Sequence, residues 1–316
     1  MFGLEKIMRV LAAAMREGAV AHAYLFYGAE GSGKKTLALC FASALTCALF
    51  PAGPCGDCRS CRKAAVGANP DIHLVLPEGR SLRIDQVRQV RKAAYLRPHE
   101  SRCQVFILEA ATVTPEAANS MLKVLEEPPA GTIFLLLAEN PATLPPTVVS
   151  RCQQFALERL SPDQLRKILQ EAGTPPENRE LAVRLAEGLP GRALAAAGMD
   201  MGEQLAGAAS FLNRLADRAG ISQLAAELEA NKESVVFFDL LLTLLRDMFV
   251  LTVTGRENCL ICYECKTELE ILRKKWPAAR CREALSALLE LRESLQSSGN
   301  IRLACERALR RIREVS

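Results

Sequence analysis

The sequence predicts an α/β fold with a parallel sheet in its first half and an all-helical second half, and three observations carry that expectation. Short apolar runs that read as buried strands alternate with amphipathic helical patterns from about residue 23 to residue 138. A glycine-rich loop, Gly28-Ala-Glu-Gly-Ser-Gly-Lys-Lys-Thr36, stands between the first strand and the next helix, as in a phosphate-binding strand–loop–helix unit. Beyond about residue 160 the apolar residues recur at helical spacing and strand signals are absent.

Residues 1–22 read as an amphipathic helix, with Leu4, Ile7, Met8, Leu11 and Met15 on one stripe. His22 precedes the first strand, Ala23–Tyr27, and is read as a polar residue at a strand entrance rather than a ligand. In the loop, Gly28, Gly31 and Gly33 permit positive φ and let backbone N–H groups face a phosphate, while Lys34 adds a charge for its outer oxygens. The next position should supply a hydroxyl for Mg²⁺, yet it is Lys35; the nearest hydroxyl, on Thr36, is turned by about 100° around a helix. The loop is therefore expected to bind rather than hydrolyse. A helix over 34–50 follows and is stopped by Pro51-Ala-Gly-Pro54.

Cys55, Cys58 and Cys61 have C-x2-C-x2-C spacing, and Cys47 lies eight positions before the first of them. Four thiolates so spaced close a tetrahedral shell around Zn²⁺ and leave no open position for water, so the expected site is structural. Twelve cysteines in a chain with a charged N-terminus and no signal-peptide core predict reduced thiols in a cytoplasmic protein. Cys40, Cys152 and Cys305 read as small buried hydrophobes.

Residues 69–77 read as a strand on which His73 alternates with apolar neighbours, and 84–95 as an amphipathic helix with Arg88, Arg91 and Lys92 on its solvated face. A second buried strand, within 103–112, ends in Glu109, where P-loop ATPases place an acid for Mg²⁺. The adjacent position for a water-activating glutamate is Ala110, a second departure from a hydrolytic site. A helix from Pro115 to Glu127 and a wholly apolar strand, Thr132–Ala138, lead to Ser150-Arg-Cys152.

The second half is read as helices throughout: a small group from Ser161 to about residue 208, then Phe211–Leu215, Ile221–Leu228, Val235–Val253, Thr267–Lys275 and Arg282–Arg313. Cys259, Cys262 and Cys265, with Cys281 farther on, repeat the x2 spacing, but between helices such thiols need no metal. No uncharged apolar run is long enough to span a bilayer, so no membrane partner is expected. A net charge of +4, without an aromatic-rich basic segment, argues against an independent nucleic-acid binder.

Five motifs in order carry a family resemblance: His22-Ala-Tyr-Leu-Phe26 into the glycine loop, the four cysteines, Ala117-Ala-Asn-Ser-Met-Leu-Lys-Val-Leu-Glu-Glu-Pro-Pro129, Leu144-Pro-Pro-Thr-Val-Val-Ser-Arg-Cys152, and Gly188-Leu-Pro-Gly-Arg-Ala-Leu194. With them the chain resembles an AAA+ module and, more narrowly, the delta-prime-type subunits of the bacterial DNA polymerase III clamp loader. The resemblance implies an AAA+ P-loop core with the zinc-binding insertion over 1–158, a helical lid over 159–208 and an all-α collar domain over 209–316. It implies that Arg151 acts as an arginine finger in the nucleotide site of a neighbouring subunit; the plainer reading of Arg151 is a salt bridge at a strand end. Arg192 matches the lid position that reaches toward nucleotide, the plainer reading being a tie between lid and core. The residues that would contact ATP or ADP are Gly28, Gly31, Gly33, Lys34, Lys35, Thr36 and Arg192. Implied partners are the gamma/tau motor subunits and delta in a hetero-pentameric ring, with the sliding clamp and primed DNA met through the assembly. The enzyme-class alternative is an ATP-hydrolysing motor subunit of the same loader, which Lys35 and Ala110 disfavour.

Overall fold

The computed structural model describes residues 3–79, 81–110, 113–231, 235–295 and 300–314. The chain divides into two compact units, Met1–Leu160 and Ser161–Ser316.

The first unit is a five-stranded parallel sheet with helices on its faces. In chain order it comprises α1 (Glu5–Arg16), β1 (Ala23–Tyr27), α2 (Lys34–Leu45), α3 (Arg59–Ala65), β2 (Ile72–Val75), α4 (Ile84–Ala94), β3 (Gln104–Glu109), α5 (Pro115–Glu126), β4 (Thr132–Ala138), α6 (Pro146–Val149) and β5 (Gln153–Ala156). The strand order is β2-β3-β4-β1-β5, and every pairing is parallel. The central strands β1, β3 and β4 are apolar on both faces because both faces are covered. One face packs Leu25, Phe106, Phe134 and Leu136 under α4 and α5; the other packs Tyr24, Phe26, Ile107 and Leu135 under α1 and α2. The expected strands are present, and β5 is an addition that the polar Gln153-Gln154 concealed: as an edge strand it has no need of a buried face.

Local chemistry sets the ends of these elements. Thr114 Oγ1 accepts the Ala117 amide and Pro115 opens the first turn, which starts α5. Helix α2 stops at Leu45, five residues short of the expected Phe50. Thr46 Oγ1 bonds back to the Ala42 carbonyl, and Cys47 leaves the helix to meet the other cysteines.

The second unit is all helical: α7 (Pro162–Glu171), α8 (Pro176–Leu185), α9 (Pro190–Ala197), α10 (Met201–Ala216), α11 (Ile221–Ala230), α12 (Val235–Thr254), α13 (Lys266–Arg273), α14 (Ala278–Leu295) and α15 (Ile301–Glu314). Phe211, Phe238, Leu244 and Trp276 are buried in it. The expected helix over 282–313 is two helices, and Asn300 starts the second by accepting the Leu303 amide at 3.0 Å. The expected boundary at 208 falls inside α10, where the run of Gly207, Ala208 and Ala209 obscures the helical pattern. No helix among the described residues is long and apolar enough to cross a membrane.

Candidate functional site

The glycine loop follows the C-terminal end of β1. Gly28, Gly31 and Gly33 have φ of 153°, 81° and 94°, so the turn needs glycine at each. Gly28 has a further constraint, since a Cβ there would stand 2.6 Å from the Leu157 carbonyl oxygen. Gly33 is the N-cap of α2 and offers no side-chain acceptor, which leaves the first amides of the helix open toward an anion.

Lys34 is folded back on this loop. Its Nζ donates to the Gly28 carbonyl at 2.6 Å and the Ala29 carbonyl at 2.9 Å. Burial lowers its pKa, opposed by the carboxylates of Glu139, Glu30 and Glu109. The sequence reading included Glu109 but missed Glu30 and Glu139, which β1 and β4 bring to the same sheet end. Ser32 is buried and its Oγ has no hydrogen-bond partner. Lys35 and Thr36 are both exposed at the start of α2. Ala110 is fully buried and its amide extends the ladder to the Leu137 carbonyl at 2.8 Å.

Arg151 lies elsewhere. It precedes β5, whereas the glycine loop follows β1, and these two strands pair in parallel with Tyr24 opposite Gln153 and Tyr27 opposite Ala156. Strand polarity therefore puts Arg151 at one end of the sheet and the glycine loop at the other, with the whole of β5, about 13 Å long at about 3.3 Å per residue, between them. Arg151 Nη1 donates to the Thr147 carbonyl at 2.8 Å and Nη2 to Glu126 Oε1 at 2.7 Å. About a third of its side chain remains exposed, at 35%. The salt bridge of the plainer reading is present, and it leaves guanidinium N–H groups unspent.

The four cysteines converge at the same end of the sheet as Arg151. The sulfurs of Cys47, Cys55, Cys58 and Cys61 all lie within 4.8 Å of one another, with Cys47–Cys58 and Cys55–Cys61 each at 4.0 Å. Tetrahedral Zn–S bonds of about 2.3 Å require sulfurs about 3.8 Å apart, so the shell fits Zn²⁺ with little adjustment. Amides of Leu49, Cys58 and Cys61 donate to the sulfurs of Cys47, Cys55 and Cys58 at 3.4 Å, as thiolates require. Donated N–H groups bring the Cys58 thiol down to about 6, while burial pushes Cys47 up to about 11. The buried Asp71 carboxylate ties this knuckle to the sheet by accepting the amides of His99, Glu100 and Ser101, and Glu100 pairs in turn with Lys63 and Arg59.

Among the described residues only the first four form a candidate metal cluster. Cys259 is exposed and bonds to Asn258, whereas Cys281 is buried and faces the Trp276 carbonyl. The loop carrying Cys262 is held instead by buried Asp247, which accepts the Ile261 and Cys262 amides. In the helical unit Arg192 pairs with Asp239 at 3.6 Å, and Asp239 also accepts from Arg292 at 2.8 Å.

A parallel sheet with a glycine loop after its inner strand, followed in the chain by a helical unit, defines a P-loop module of the AAA+ class. Residues 3–161 match the family model for DNA polymerase III, delta subunit, and 207–314 match that for its C terminal region. The chain belongs to the DNA polymerase III delta-subunit family. It is 34% identical over 181 residues to the Bacillus subtilis DNA polymerase III subunit delta′, which covers 57% of this chain and 55% of that protein. It is also 33% identical over 249 residues to the Escherichia coli DNA polymerase III subunit tau, covering 74% of this chain and 38% of that one. The chain thus spans about half the length of the first relative and less of the second. A solved DNA polymerase III gamma subunit-related protein from Thermotoga maritima has the same fold, with a TM-score of 0.54 at 20% identity over 99% of each chain.

Proposed function

We propose that this chain is a non-hydrolysing, delta-prime-like subunit of the replicative clamp loader, and that Arg151 enters the nucleotide site of a neighbouring ATPase subunit. The observation that carries this reading is the separation of Arg151 from the chain's own glycine loop by the length of a strand. A cation so placed has no role in its own cradle, but is free to serve another. Its guanidinium stays charged throughout, and its fork matches phosphoryl oxygens as negative charge redistributes in the transition state. Lys35 and buried Ala110 support the loss of hydrolysis: neither position offers a Mg²⁺ hydroxyl or a base for water.

On this reading Gly28, Gly31, Gly33, Lys34, Lys35 and Thr36 hold at most an ATP or ADP that is not turned over, and Arg192 belongs to the lid. Cys47, Cys55, Cys58 and Cys61 hold Zn²⁺, which crosslinks the end of α2 to α3. A core over 1–158, a lid over 159–208 and a collar over 209–316 remain the proposed division. The gamma/tau motor subunits and delta complete a pentameric ring that loads the sliding clamp on primed DNA in the cytoplasm.

The match to a tau subunit favours one second reading, a working motor subunit. The isolated chain with ATP and Mg²⁺ separates the two. The proposal expects no turnover above background, whereas motor-like turnover abolished by Lys34→Ala would replace it.

A further inference from the structure

Three arginines converge on the last turn of α10, where the chain passes from Leu215 to Ala219. Arg218 stands within that turn, at a left-handed φ of 58°. Arg280 Nη2 donates to the Leu215 carbonyl at 3.3 Å, and Arg313 donates to the Ala219 carbonyl. Arg280 also covers the Trp276 ring at 4.6 Å.

The donors outnumber the acceptors. Nε of Arg280, Nε of Arg313 and Nε1 of Trp276 are all buried without a hydrogen-bond partner. Trp276 is fully buried. Asp217, the neighbour of Arg218 in sequence, is taken by Lys275 Nζ at 2.7 and 2.8 Å. No carboxylate among the described residues forms an ion pair with Arg218, Arg280 or Arg313. Burial and the mutual repulsion of these cations lower the pKa of Arg280 and Arg313. Capping of the α10 carbonyls accounts for part of the arrangement, yet a helix C-terminus carries only about half a negative charge against three full positive ones.

We propose that Arg218, Arg280 and Arg313 form a binding site for an oxyanion, a phosphoryl or carboxylate group, at the C-terminal end of α10. Guanidinium forks suit the paired oxygens of either group, and an incoming anion offsets the repulsion while accepting from buried N–H groups that otherwise lack a partner. The site lies wholly within the helical unit and is independent of the role proposed for Arg151.

Trp276 is the one tryptophan of the chain, so its emission reports on this site. Inorganic phosphate is titrated into the full chain at constant ionic strength, in a Lys34→Ala background that silences the glycine loop. The expected result is a saturable change in emission that chloride does not produce. Arg218→Gly should weaken it by about tenfold or more, since a charged hydrogen bond is worth about 1.5–3 kcal/mol; glycine suits the left-handed φ, so this variant keeps the fold. Arg218→Lys should restore part of the affinity. A parallel titration with acetate assigns the source: tighter binding of acetate means a carboxylate, tighter binding of phosphate a phosphoryl group. A response equal to that of chloride, or one unchanged by Arg218→Gly, overturns the proposal.

Discussion

The two ends of the sheet each carry a cation, and the two cations are treated differently. At the C-terminal ends of the strands, Lys34 spends its donors on the Gly28 and Ala29 carbonyls and shares its surroundings with Glu30, Glu109 and Glu139. At the opposite end, Arg151 is steadied by Thr147 and Glu126 with part of its fork facing solvent. One charge closes its own loop; the other is presented outward. The lesson is that the glycines and the lysine of a P-loop also hold the loop together, so the geometry of a phosphate cradle does not by itself depend on the groups that hydrolysis needs.

The largest way to sharpen this contrast is to break the knuckle, which shares the Arg151 end. Metal removal by a chelator, or Cys58→Ser, should cost several kcal/mol, given the strength of structural zinc sites. Hydrogen exchange should then speed up over 46–61 and 99–103 while residues 28–37 keep their protection. Equal loosening of both regions would mean that the two ends are not independent.

Next in size is Gly28→Ala. The added Cβ meets the Leu157 carbonyl oxygen at 2.6 Å in a backbone conformation that disfavours a side chain. A loss of about 1–3 kcal/mol is expected in a urea unfolding experiment, without effect on the Arg151 end.

Glu126→Ala should change stability by less than about 1 kcal/mol, because the pair with Arg151 is partly exposed and screened by solvent. In a reconstituted loader it should lower kcat more than it raises KM, since Arg151 would lose its support while nucleotide binding is untouched. An unchanged kcat would show that the salt bridge does not position Arg151.

The smallest effect comes from acid. Burial lowers the His73 pKa, so its protonation opposes the folded state. Its contribution is present above about pH 6.5 and is lost as pH falls from there through its depressed folded value. His73→Phe, which keeps the stacking on Phe106 at 4.5 Å, should flatten this part of the stability curve.

Much of this organisation was legible in the residues themselves. Strands β1, β3 and β4 announce burial on two faces through unbroken apolar runs, and the cysteine spacing specifies its cluster. Edge strand β5 was missed because half-exposed polar strands carry no such pattern. Glu30 and Glu139 were missed because the sheet order, not the sequence, sets them beside Lys34. The same lack of local signal hid Glu126, whose bond to Arg151 spans 25 residues. Repeated cysteine spacing proved insufficient in the helical unit, where Asp247 and the burial of Cys262 and Cys281 organise the loop.

The division between the two cations is tested most directly by placing Lys34→Ala and Arg151→Ala separately into a loader reconstituted with its motor subunits. Clamp-stimulated ATP hydrolysis is then compared with that of the unaltered assembly. The account predicts that Lys34→Ala leaves the rate nearly intact and that Arg151→Ala lowers the turnover of one neighbouring site by roughly 10³-fold, the lower range for an arginine finger. A rate that falls with Lys34→Ala and survives Arg151→Ala would contradict it.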